Sequence, residues 1–68
     1  MTIEILVNGK PKTLESASTV AELIESLGLT GRRIAVEINL EIAPRSLHTV
    51  RRLQPGDRVE IVHAIGGG

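Results

Sequence analysis

The sequence predicts an α+β fold, one mixed sheet of four to five strands packed on a single helix, and three observations carry that reading. Apolar residues alternate with polar ones near the start (Ile3, Ile5, Val7), in the middle (Ile34, Val36, Ile38) and near the end (Val59, Ile61). A period of two marks a strand with one buried face. One stretch, Val20 to Leu27, repeats instead with the period of a helix, and the gaps between these segments hold turn residues.

The first strand runs through Ile3, Ile5 and Val7. It is followed by Asn8-Gly9, the strongest short signal for a hairpin, so a second strand from about Lys12 to Glu15 pairs back on it. The helix starts at Thr19, an N-cap with Glu22 three residues on, which together form a capping box. Val20, Leu23, Ile24 and Leu27 make one apolar stripe, and Gly28 suits the left-handed position that closes many helices. The third strand, Ile34 to Ile38, is followed by Asn39, where a tight reversal leads to a very short fourth strand ending at Pro44. Arg45 to Leu53 is mixed and contains a helical turn. Gln54-Pro55-Gly56-Asp57 is a turn, and Arg58 to Ala64 is the last strand, with Val59 and Ile61 facing inward. A hairpin, one crossing helix and further strands give the β-grasp layout, with the first and last strands parallel neighbours at the centre. Residues 1–64 form this domain, and 65–68 form a flexible C-terminal tail.

Sixty-eight residues make one small core. The chain has no Cys and no aromatic residue, so neither a disulfide nor a thiolate metal site supports it. Ile, Val, Leu and Ala must supply the burial, at about 25 cal/mol per Å² of apolar surface. Eight basic and eight acidic residues balance to a formal charge of zero. A nucleic-acid binder of this size shows a basic excess and stacking aromatics, and this chain has neither. Its apolar runs fall short of the roughly 20 residues that cross a bilayer, and its start lacks the layout of a signal peptide. The expectation is a cytoplasmic protein, monomeric when free, with no nucleic-acid or membrane partner.

Enzyme signals are missing. There is no P-loop and no nucleophile elbow. His48 and His63 lack the spacing of a zinc motif, and His63 reads as a partly packed residue at the end of a central strand. Glu22, Glu25, Glu37 and Glu41 show no pattern for acid–base work. Arg45, Arg51, Arg52 and Arg58 give the second half a basic bias, which normally is solvated surface.

The end of the sequence remains. Three consecutive glycines alone read as an unstructured tail. Here they follow the last, central strand with only Ile65 between. Glycine lacks Cβ, so the segment is thin and its backbone free, and four extended residues reach roughly 13 Å. Gly66 and Gly67 can thread a narrow channel and bring a carboxylate on Gly68 into another protein's active site. Converted to an acyl adenylate, that carboxylate becomes open to a sulfur nucleophile. Strand parity adds a docking expectation. If Ile3, Ile5, Val7, Val59 and Ile61 face the helix, then Leu6, Val62 and Ala64 face away on adjacent strands, an apolar patch that leads through Ile65 to the tail.

These residues resemble a known family. The run Gly56-Asp57-Arg58-Val59-Glu60-Ile61-Val62-His63-Ala64-Ile65-Gly66-Gly67-Gly68 is similar to the carboxy end of the ThiS family, ubiquitin-like sulfur carriers of thiamine biosynthesis. Ala35 to Ser46 resembles that family's central hairpin, and Ile3 to Gly9 and Thr19 to Leu23 also fit. The resemblance spans essentially the whole chain. It departs from the pattern in one extra glycine, Gly66, and leaves the terminal pair Gly67-Gly68 in place. The resemblance implies that an ATP-dependent adenylating enzyme of the ThiF type activates Gly68. A persulfide, delivered by a sulfurtransferase or cysteine desulfurase, then makes a thiocarboxylate, and a thiazole synthase of the ThiG type takes the sulfur. The carrier would be a co-substrate with no catalytic residue and no bound cofactor or metal, the ATP being used by its partner. Competing expectations are a related carrier for molybdopterin or tRNA thiolation, and a ubiquitin-like protein modifier.

Overall fold

The computed structural model of the chain describes residues 1–63. Its elements are β1 (Thr2–Val7), β2 (Lys10–Glu15), α1 (Val20–Ser26), β3 (Ile34–Ile38), β4 (Glu41–Ile42), a 3₁₀ turn (Arg45–Leu47) and β5 (Arg58–His63). The five strands form one sheet in the order β2-β1-β5-β3-β4. β1 and β5 are parallel, with Leu6 opposite Arg58 and Val7 opposite Val59, whereas β1–β2, β3–β4 and β3–β5 are antiparallel. This is the β-grasp arrangement that the alternation and the single helix predict. Ala64, the expected last residue of β5, lies outside the described residues.

Each turn follows from its residues. Asn8 and Gly9 both take positive φ (50° and 82°), which a two-residue hairpin loop of the right twist requires. Because Val7 then faces Lys10, β2 begins at Lys10, two residues before the expected start. Pro11 is tolerated there. Its partner Leu6 sends its N–H the other way, to the carbonyl of Asp57 at 2.9 Å, and β2 is an edge strand, so the missing proline N–H breaks no ladder bond. Pro55 and Gly56 (φ 83°) turn the chain into β5. Asp57 closes that turn with its N–H on the carbonyl of Gln54 (3.1 Å), while its Oδ2 accepts the Gln54 N–H (2.8 Å).

The helix ends are satisfied as its sequence dictates. Thr19 Oγ1 accepts the Glu22 N–H at 3.2 Å, and Glu22 Oε1 accepts the Thr19 N–H at 2.8 Å. At the other end Gly28 takes φ 72°. Its N–H donates to Glu25 and that of Leu29 to Ile24, both at 3.0 Å, the paired bonds of a Schellman closure. Val20, Leu23 and Ile24 bury the apolar stripe against Ile5, Val36, Ile38, Val59 and Ile61 on one face of the sheet. Ala43 and Leu53, from the irregular connection into β5, complete this core.

The β3–β4 reversal carries strain. Asn39 and Leu40 take φ 52° and 71°, and Leu40, 84% exposed, stands where such turns prefer glycine. A leucine held in the left-handed region costs about 1 kcal/mol or more, and its exposed side chain returns little packing. Leu40→Gly is therefore expected to stabilise the domain by roughly 0.5–1 kcal/mol. A urea midpoint at or below that of the parent chain would contradict this.

Candidate functional site

β5 is the central strand, and in the sequence Gly68 follows five residues beyond its last residue, His63. Its start is locked from the β3 side. Asn39 Oδ1 accepts the Arg58 N–H at 3.0 Å, and Asn39 Nδ2 donates to Asp57 Oδ1 at 3.0 Å. Asp57 is buried, and both of its carboxylate oxygens are occupied, so it holds the strand in place and has no free oxygen for chemistry. On the other side β1 stops pairing at Val7. There the Asn8 N–H donates to the Val59 carbonyl (2.9 Å), Asn8 Oδ1 accepts the Ile61 N–H (2.8 Å) and Asn8 Nδ2 donates to the Ile61 carbonyl (3.2 Å). Two asparagines with positive φ thus bracket the outgoing strand. In the sequence both read only as turn residues, although Asn next to a strand end is the available signal.

Ala64, Ile65, Gly66, Gly67 and Gly68, which the sequence analysis singled out, lie outside the described residues. Leu6 and Val62 are described. The register puts both on the sheet face away from α1, but not side by side. Leu6, half-buried, lies opposite Arg58, and Val62, 58% exposed, lies opposite Ala35. About 13 Å of strand separates the level of Leu6 from Val62, and the exposed Glu60 stands between them on β5. Among the described residues the expected patch is therefore two apolar points, Leu6 and Val62, with a carboxylate between them. Leu6, Gly9, Arg58 and Glu60 line a shallow concavity of about 150 Å³ on this face.

The remaining candidates are placed differently. His63 is exposed, which corrects the expectation of partial packing. It shares the face of Val59 and Ile61, but among the described residues the buried core ends at Ile61, one inward position earlier. His48, by contrast, is buried, and its Nε2–H donates to the carbonyl of Ala43 at 2.8 Å, pinning the 3₁₀ turn to the end of β4. No sequence pattern marked it. A groove of about 270 Å³ lies beside it, with Ala21, Ile24, Leu29, Ile34 and Arg45 in its walls. Arg45, Arg51, Arg52 and Arg58 are all exposed. Arg52 donates to the Ala17 carbonyl at 3.3 Å, and Arg58 sits on the outer sheet face, away from the other three in the connection. Among the described residues no three His, Cys, Asp or Glu side chains gather to hold a metal, and no helix is long and apolar enough to cross a membrane.

Comparison with known proteins agrees with this geometry. The model of the ThiS family matches residues 5–68. The chain superposes on the crystal structure of the thiamine biosynthesis protein ThiS from Geobacter metallireducens with a TM-score of 0.83 at 32% identity, covering 97% of this chain and 100% of that one. It is 39% identical over 66 residues to a thiazole synthase of Paramagnetospirillum magneticum and 36% identical over 66 residues to one of Magnetococcus marinus. Each match takes in 97% of this chain but spans only 20% of the thiazole synthase.

Proposed function

The chain belongs to the ThiS family, and from that premise we propose that it is a sulfur carrier of thiamine biosynthesis whose working group is the carboxylate of Gly68. The observation that carries this reading is the central strand, locked on both sides and followed in the sequence by Ala64-Ile65-Gly66-Gly67-Gly68. A partner can grip a rigid domain and receive a thin segment that holds no side chain beyond Ile65.

The chemistry runs in three displacements. The Gly68 carboxylate attacks the α-phosphorus of ATP in an adenylating enzyme, and pyrophosphate leaves. The terminal sulfur of a persulfide then attacks the acyl carbon, AMP leaves, and a thiol cleaves the resulting acyl disulfide to release the thiocarboxylate. The carrier supplies the acyl group and the docking surface, and its partners supply catalysis. A thiazole synthase is the acceptor this reading favours. Two thiazole synthases contain, within one polypeptide, a segment matching nearly all of this chain, as expected of parts that work on the same sulfur.

The test is complementation. A bacterium lacking its own carrier of this family requires thiamine, and expression of this chain is expected to restore growth without it. Absence of growth with folded protein present would count against the reading. The docking face gives a second expectation. Leu6→Glu, beside the concavity, lowers the rate of adenylation at subsaturating carrier by about tenfold, the scale of one lost interface anchor, and leaves the far-ultraviolet spectrum unchanged. Val62→Glu acts in the same direction. Parental rates in both variants would remove this face from the interface.

A further inference from the structure

Asn8 does more than turn the chain. In a parallel ladder every second residue of one strand donates its N–H to one neighbour position and accepts, through its carbonyl, from a position two residues further on. Leu6 and Asn8 follow this pattern in donating to Asp57 and Val59. If β1 continued, the carbonyl of residue 8 would accept next from Ile61. With φ at 50° the backbone of Asn8 leaves the sheet for the hairpin instead. Its side chain takes over the missing positions, Oδ1 as the carbonyl and Nδ2 as the following N–H, both on Ile61. Asparagine alone suits the task. It tolerates positive φ, and its amide has both an acceptor and a donor at this length. Glycine keeps the turn and loses both bonds, and aspartate keeps the acceptor and loses the donor.

We propose that Asn8 is a positioning residue for the carrier's acyl group. Its carboxamide extends the grip on β5 from Val59 to Ile61, and so fixes the point from which the remaining residues reach into a partner. The inference rests on the carrier reading. Without the clamp the strand beyond Val59 is held, among the described residues, by its ladder to β3 alone, and a partner must restrict its remaining freedom when it binds. That entropy enters the binding step, so the loss falls on KM.

The test combines amide exchange with steady-state adenylation of the full chain. In Asn8→Gly the Ile61 amide is expected to exchange about tenfold faster, on the scale of one lost hydrogen bond, while the amide of Leu53 in the core, bonded to the Ser18 carbonyl, keeps its protection. The KM for the carrier rises about three- to tenfold with kcat within about twofold, as for a lost preorganisation of the free partner. Asn8→Asp, which keeps the acceptor, falls between the two. A merely structural role would lower the unfolding midpoint and leave KM unchanged well below it. Parental Ile61 exchange in Asn8→Gly, or an unchanged KM with Ile61 deprotected, overturns the inference alone. A parental chain that no adenylating enzyme of this family accepts removes the carrier reading, and the inference with it.

Discussion

Adding one residue after Gly68, in a form that host peptidases cannot trim, is expected to abolish thiocarboxylate formation, a fall of roughly 10³-fold or more because the reacting group itself is gone. The added residue turns the Gly68 carboxylate into an amide, which does not attack ATP, and moves the new terminus about 3.5 Å too far along any channel built for the shorter chain. Gly67→Val keeps the carboxylate and its reach but adds a branched side chain next to it. A misplacement of about 1 Å at a reacting centre costs on the order of 10²-fold, so this variant should lose most activity as well. Neither change touches the core, whose buried residues among those described end at Ile61, so both variants should melt with the parent. A lower melting temperature would mean that the terminal residues help hold the fold and would undermine their assignment as the working segment.

Leu23→Ala is expected to bring the domain to the edge of unfolding. Leu23 is fully buried at the centre of the helix stripe, packed among Ile5, Val36, Ile38 and Val59. Removing its branched end costs about 3 kcal/mol or more, from lost transfer and the cavity left behind. A chain of this size has roughly 3–10 kcal/mol of total stability, and this one has no disulfide to support it. Urea unfolding followed by circular dichroism reads the effect directly. A midpoint within error of the parent would show that the core rearranges to fill the gap and is looser than its close burial implies. Because a carrier must be folded to be recognised, the same variant should fail to complement at elevated temperature.

Much of the architecture is legible in the sequence because a small sheet with one covered face has a simple code. Ile3, Ile5, Val36, Ile38, Val59 and Ile61 alternate without interruption, and Thr19 with Glu22 marks the helix start by a local bond that needs no tertiary context. What stayed hidden depends on register and on side-chain bonds across the chain. The start of β2 at Lys10 follows from the two-residue loop and from the direction of the Leu6 N–H, which makes Pro11 harmless. The exposure of His63 depends on where the core stops. The interruption of the outer apolar patch by Glu60 follows from Leu6 lying opposite Arg58, a register that parity alone does not supply. The burial of His48 comes with a bond to the Ala43 carbonyl that no local pattern announces. Asn8 reads as half of a hairpin signal, and its bonds to Ile61 join residues 53 apart in sequence. Of the candidate site, the glycine ending was plain from composition and place, whereas the two asparagines that hold the strand before it needed coordinates.

The most direct measurement is the intact mass of the chain after incubation with ATP, a ThiF-type adenylating enzyme and a persulfide donor. Exchange of one oxygen for sulfur adds about 16 Da, a covalent change of the kind that mass alone resolves, and fragmentation should place the gain on Gly68. A chain that keeps its starting mass, while a known carrier of the family is converted in the same mixture, would contradict the assignment of sulfur transfer to this protein.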